Sequence, residues 1–171
     1  MLTFVFFVVS IGSLFCSLVA LRPRDEDAQV IPIKYKGDSA GVKLRKLPQG
    51  DCIDLYTNKT VSYKKGDCVT IDFGVAMVLP VNYEAHIYPR SSTFEKYGLL
   101  LTNSVGIIDN AYHGDEDWWC GKFYATRDGE VLQGERVAQF RLVKSMPPVS
   151  FDERHHLLGL PNRGGYGTTG Y

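Results

Sequence analysis

An arginine followed by two hydroxyls, Arg90-Ser91-Ser92, stands directly after Pro89. Proline fixes the exit of a strand. The forked donors of an arginine beside two neutral hydroxyls suit phosphate oxygens. Further on, Gly106-Ile107-Ile108-Asp109-Asn110-Ala111-Tyr112-His113-Gly114 leads two apolar residues out of a tight hairpin and presents Asp109 at their end. One well-placed carboxylate can orient and deprotonate a water for attack on phosphorus. Tyr112 can lie flat against a sugar, where a ribose 2′-hydroxyl would collide with it. Gly134-Glu135-Arg136-Val137-Ala138-Gln139 is a turn into a strand whose Gln139 can donate to a phosphate. Near the end comes Arg163-Gly164-Gly165-Tyr166-Gly167-Thr168-Thr169-Gly170. Glycines such as Gly167 let backbone N–H groups close on phosphates. Arg163, Thr168 and Thr169 add donors there, and Tyr166 offers a ring for a base. The chemistry these groups suit is hydrolysis at the phosphate chain of a nucleotide.

Each pattern has a plainer reading. Arg-Ser-Ser is common on surfaces, and Asp109 can be a turn former with Tyr112 half-buried. Gln139 can sit on a solvent face, and a glycine-rich tail can be low-complexity sequence. The weight lies in finding all of them in one chain.

The elements that must position these groups are strands. Val69 to Val75 alternates apolar and polar residues, as a half-buried strand does. Glu84–Tyr88, Leu99–Thr102, Gly106–Ile108, Gly121–Ala125 and Val137–Val143 read as further strands. Turn signals punctuate them at short spacing: Pro48-Gln49-Gly50, Lys65-Gly66-Asp67, Asn103-Ser104, Asp128-Gly129 and Gln133-Gly134. Only Ser92 to Tyr97 reads as a helical turn. The pattern predicts an all-β fold, a compact antiparallel jelly roll or β-barrel with a glycine-rich C-terminal arm. The expected organisation is an apolar segment over 1–21, a polar linker over 22–30, the β domain over 31–148 and the arm over 149–171.

Composition sets limits. The 171 residues suffice for one domain with a real core. Lys+Arg and Asp+Glu balance at 19 each, so no global field would hold a long polyanion, and nucleic acid is set aside as the main partner. Cys16, Cys52, Cys68 and Cys120 show no metal-type spacing. Three of them fall in the β domain, an odd number that suits free thiols in a reducing compartment. Leu2–Leu21 is apolar and is followed by Arg22-Pro23-Arg24. It is about long enough to span a bilayer, and the charge on its C-terminal side would keep the domain in the cytoplasm. A membrane tether, an extension not native to the domain and a cleaved signal all remain open for it.

Taken in order, these elements resemble the trimeric-type dUTPase family over roughly Asp51 to Gly170. The resemblance includes a first motif, Cys52-Ile53-Asp54-Leu55-Tyr56. It implies that the chain hydrolyses dUTP to dUMP and pyrophosphate, limiting uracil in DNA and supplying dUMP for thymidylate synthesis. Asp109 would be the base acting on the water that attacks the α-phosphorus, and Tyr112 the ring that excludes ribose. Arg90, Ser91 and Ser92 would bind the phosphate chain, with Gln139 helping. Asn103 and the backbone from Gly106 to Ile108 would read the uracil edge. Tyr166, where Phe is more usual, would stack on uracil while Arg163, Thr168 and Thr169 close on the γ-phosphate. Asp54 would hold either the water shell of a metal or the phosphate-side network. The resemblance further implies Mg²⁺ bridged to the triphosphate, and a homotrimer in which three subunits share each site.

The chain departs from the family pattern at Asp115–Cys120, an extension after the third motif, at His113, where Arg is common, and in how close Arg163 lies to the two glycines. Two alternatives stand beside the hydrolase. A dCTP deaminase of the same fold would need a carboxylate on the strand Gly121–Thr126, which has none. A binding module could present Trp118 and Trp119, which otherwise pack into the barrel wall or a trimer seam.

Overall fold

The computed structural model describes residues 28–37, 42–157, 159–161 and 164–165. Arg163, Tyr166, Gly167, Thr168 and Thr169 lie outside the described residues, as does the apolar segment with its three readings. Among the described residues no helix is long and apolar enough to cross a membrane. The chain divides into Met1–Val30 and Ile31–Tyr171, and every element described below belongs to the second unit.

The strands are β1 (Ile33–Tyr35), β2 (Ile53–Tyr56), β3 (Val61–Tyr63), β4 (Cys68–Asp72), β5 (Val75–Met77) and β6 (Tyr83–Pro89). After a short helix α1 (Thr93–Tyr97) come β7 (Leu99–Leu101), β8 (Gly106–Ile108), β9 (Cys120–Ala125), β10 (Gly129–Val131) and β11 (Arg136–Lys144). All assigned ladders are antiparallel. The all-β antiparallel expectation therefore holds. The ladders form four sheets, in the orders β2-β11-β6-β8, β4-β9-β7, β1-β5 and β3-β10, rather than one closed ring.

Period-two patterning decides which way each strand faces. In β9, Gly121, Phe123 and Ala125 are buried while Cys120, Lys122 and Tyr124 face out. In β6, Ala85 and Ile87 point inward. With Leu55, Ile71, Leu99, Trp119, Val137 and Phe140 these residues make one hydrophobic core. Each large apolar side chain buried there stabilises the fold by about 1.5–3 kcal/mol.

Two expectations need correction. The strand predicted over Val69–Val75 is broken at Phe73-Gly74, between β4 and β5. Gly74 has φ +62°, and a Cβ there would meet the Asn58 side chain at 2.7 Å, so glycine is required. The backbone of Trp119 fills the break: its N–H donates to the Val75 carbonyl and its carbonyl accepts from Phe73 N–H. The tight hairpin expected before Asp109 is instead a corner between sheets. β7 pairs with β9 and β8 pairs with β6, so the chain changes sheet at Asn103-Ser104. The alternation of a few residues names a strand but not its partner.

Candidate active site

The first motif and the strand β11 lie side by side, with Asp54 paired opposite Gln139. Cross-strand partners share a face. A bulge in β11 between Arg136 and Ala138 adds a residue, and its trace is two consecutive buried residues, Val137 and Ala138. In a regular strand Arg136 and Gln139 would face opposite ways. The bulge brings Arg136 to the Asp54 side, where Nη1 lies 3.1 Å from Oδ2.

Arg90 follows β6 and reaches the other oxygen of Asp54, with Nε 2.7 Å from Oδ1. The Arg90 backbone N–H donates to the Thr93 hydroxyl, and that hydroxyl donates to the Val137 carbonyl. Gln139 Nε2 donates to the Pro89 carbonyl at 3.2 Å. One carboxylate thus holds two guanidinium groups, and Thr93 fixes the backbone beneath one of them. The Arg90 side chain faces Asp54 through Nε and is 27% exposed, so part of its fork is open to a ligand.

Arg90, Ser92, Lys96, Gly134, Glu135 and Arg136 line a mostly polar cavity of about 240 Å³. Lys96 Nζ lies 2.6 Å from Glu135 Oε1. This pairing holds the Glu135 carboxyl below its ordinary range and raises the Lys96 ammonium. Three cations against Asp54 and Glu135 leave one net positive charge, suited to an anion. Ser91 is exposed and does not line this cavity. Arg136, Lys96 and Glu135 were not singled out by sequence. Only the burial doublet Val137-Ala138 hints at the bulge that recruits Arg136.

A second cavity, about 290 Å³, opens where β7 and β8 part. Asn103 and Gly106 line it with Ile87, Thr102 and the β9 residues Cys120, Gly121 and Lys122. A Cβ on Gly106 would meet the Ile87 Cβ at 3.2 Å, so the wall is narrow here. Ile108 pairs with Ala85 and does not line this cavity.

Asp109 follows β8 and is exposed. Its Oδ1 accepts from Ala111 N–H at 2.8 Å, an Asx turn that fixes the carboxylate, and Oδ2 has no partner among the described residues. Tyr112 N–H closes the turn on the Asp109 carbonyl, and the phenol reaches the Trp118 carbonyl at 3.4 Å. Partial burial, then the charge of Asp117, pushes the phenol above its ordinary value, so it remains a neutral donor. Trp119 is buried in the core, edge-on to Phe140, whereas Trp118 lies half-buried outside it, so the two tryptophans do different work.

Asp54 and Asp109 do not meet within one chain. β2 and β8 are opposite edges of the four-stranded sheet, and pairings through β11 and β6 place Asp109 four residues along from Asp54. Strand geometry then separates them by roughly 20 Å.

The statistical model of the dUTPase family matches residues 42–157. Over 140 residues the chain is 46% identical to the SPbeta prophage-derived deoxyuridine 5′-triphosphate nucleotidohydrolase YosS of Bacillus subtilis, covering 82% of this chain and 97% of that protein. The chain belongs to the dUTPase family. The deoxyuridine 5′-triphosphate nucleotidohydrolase of Corynebacterium diphtheriae is 30% identical over 156 residues, covering 90% of this chain and 93% of that one. Among solved structures, a mutant dUTPase of Staphylococcus bacteriophage 80alpha with dUpNHpp superposes with a TM-score of 0.69 at 19% identity, over 84% of this chain and all of that one. The dUTPase of Streptococcus mutans gives 0.62 at 23% identity, over 69% and 98%. These two likenesses show that the chain has the dUTPase fold.

Proposed function

We propose that this dUTPase-family chain hydrolyses dUTP to dUMP and pyrophosphate, with Asp109 activating the water that attacks the α-phosphorus. The observation that carries this reading is the net-positive cavity of Arg90, Ser92, Lys96 and Arg136, organised by Asp54. Arg90, Ser91, Ser92 and Gln139 would hold the phosphate chain. Asn103 with the backbone at Gly106 would read uracil in the second cavity, Ile108 would act only from outside its lining, and Tyr112 would exclude ribose. Arg163, Tyr166, Gly167, Thr168 and Thr169 would close on base and γ-phosphate as part of an arm over 149–171, appended to a β domain over 31–148. Removal of dUTP would keep uracil out of DNA, and the dUMP formed would supply thymidylate synthesis.

The separation of Asp109 from the Asp54 cluster supports a homotrimer with shared sites: the base of one copy would serve the phosphate cluster of another. Among the described residues no group of three His, Cys, Asp or Glu could cage a metal. Asp54 already answers two guanidinium groups, so Mg²⁺ fits as an ion carried by the triphosphate, with Asp54 reached only through water. Bound there, the ion would neutralise charge on the phosphate chain. Cys52, Cys68 and Cys120 are free thiols, which suits the cytoplasm.

Deamination is not favoured, because the lining of the base cavity includes no carboxylate among the described residues. Pyrophosphate release from dUTP, dCTP, dTTP and UTP, with Mg²⁺ and with chelator, tests the reading. Release from dUTP alone, lost with chelator, is expected. Conversion of dCTP, or silence on all four, would overturn it.

A further inference from the structure

Of the extension Asp115–Cys120, only Cys120 lines a cavity described above. The extension is nevertheless tied down at every step. Gly114 N–H donates to Asp117 Oδ2 and Asp117 N–H to the Gly114 carbonyl, closing a turn. Two residues on, Trp119 is locked in the core. Between these anchors, Trp118 is held from the side. Its indole N–H donates to Glu116 Oε2 at 2.9 Å, and Lys34 Nζ bonds Glu116 Oε1 at 3.2 Å and the Asp115 carbonyl at 2.9 Å. Lys34 on β1 and Lys36 just after it both place their ammonium groups 5.3 Å from the centre of the Trp118 ring. That distance is within the range of cation–π attraction.

The Trp118 carbonyl is the group that receives the Tyr112 hydroxyl. We propose that Lys34, Glu116 and Trp118 act as a positioning clamp for the Tyr112 ring, so that the choice of deoxyribose over ribose depends on the N-terminal strand β1. The inference rests on Tyr112 being the sugar-selecting ring. The backbone end of Tyr112 is fixed by the Asp109 turn, and its hydroxyl end rests 3.4 Å from the Trp118 carbonyl, a long contact. Trp119 secures one side of that peptide and the clamp secures the other. Without the clamp the ring keeps its turn but loses its far support, and room opens for a 2′-hydroxyl. Phosphate binding and the Asp109 carboxylate stand apart from the clamp, so turnover of dUTP should be spared.

The test compares kcat/KM for dUTP and UTP in wild type, Glu116→Ala, Glu116→Gln, Lys34→Gln and Tyr112→Ala. A packed wall rejects an added hydroxyl by about 10²-fold, so partial loosening should raise the UTP-to-dUTP ratio roughly tenfold in Glu116→Ala and Lys34→Gln. Glu116→Gln keeps one side-chain oxygen, enough for the indole N–H or for Lys34 but not both, and should fall between wild type and Glu116→Ala. An unchanged ratio in Glu116→Ala and Lys34→Gln, with normal dUTP turnover, overturns the clamp alone. Should Glu116→Ala fail to fold, Lys34→Gln, altered at a half-exposed side chain, decides by itself. An unchanged ratio in Tyr112→Ala removes the sugar-filter reading and the clamp with it. Wild type silent on dUTP removes the proposed activity itself.

Discussion

The Arg90 guanidinium reaches across an intervening strand to bring its Nε within 2.7 Å of the Asp54 carboxylate. β11 runs between β2 and β6, so this ion pair spans the sheet over Gln139 and makes one unit of three separate motifs. The Asp54 side chain is only 14% exposed, which strengthens its hold on both arginines compared with a surface pair.

Asp54→Asn should therefore damage placement more than attraction. The amide keeps the shape but removes the charge that orients Arg90 and Arg136. A misplacement of about 1 Å can cost on the order of 10²-fold in rate, so kcat should fall roughly 10–100-fold. Inhibition by pyrophosphate should stay as strong or grow stronger, because the cavity gains positive charge. Steady-state kinetics with pyrophosphate as inhibitor measure both. Intact kcat with weakened pyrophosphate binding would contradict the orienting role.

Thr93 is the buried joint beneath that unit. Its hydroxyl accepts from Arg90 N–H and donates to the Val137 carbonyl, and the residue is 1% exposed. Valine has the same shape with no hydroxyl. Thr93→Val leaves a donor and an acceptor unpaired in the interior, which should destabilise the protein by about 2–4 kcal/mol. Urea denaturation reads this directly. A loss below about 0.5 kcal/mol would mean that water or a backbone shift replaces both bonds.

Much of this was legible in the sequence, for reasons that differ by element. β6, β9 and β11 alternate over five or more residues, long enough for a period of two to stand out. β3 and β10 have three residues each, too few to show a period. β5 is buried on every residue, so it does not alternate at all. Asp109 and Tyr112 were readable because a turn holds them at fixed spacing. Arg136 was not, because its place beside Asp54 depends on a bulge, and a bulge is a property of a strand pair. Lys96 matters only because Glu135, distant in sequence, lies against it.

The same Lys96–Glu135 pair should leave a mark on acid stability. The Glu135 carboxyl is held below its ordinary value of 4.5, chiefly by the Lys96 bond. A lowered carboxyl stabilises the fold above its unfolded value and ceases to do so as pH falls through its folded one. The Lys96 ammonium is raised above 10.5, so its share is present below that value and fades only in stronger alkali. Between about pH 5 and pH 10 the contribution should be level. Glu135→Gln keeps an acceptor for Leu132 N–H but loses the charge. Its melting temperature should lie below that of wild type at pH 7, and the gap should shrink below about pH 4.5. A gap that is the same at pH 7 and pH 3.5 would show that the charge contributes nothing.

Asp109 and the Asp54 cluster, roughly 20 Å apart across the sheet, give the sharpest test of shared sites. Asp109→Asn should reduce dUTP turnover by about 10²–10⁴-fold, since it removes a general base while the amide oxygen can keep the Ala111 bond. Arg90→Met should be inactive for a different reason, the loss of the phosphate fork. Refolded separately, each variant should remain silent. Refolded together in equal amounts, they should recover about a quarter of wild-type activity, the chance that an intact Asp109 from one chain faces an intact Arg90 from another in a closed head-to-tail ring. Pyrophosphate release from the mixture measures this, with size-exclusion chromatography to establish that the chains assemble. Mixed assemblies that stay as silent as their parents would place both residues of a working site on one chain.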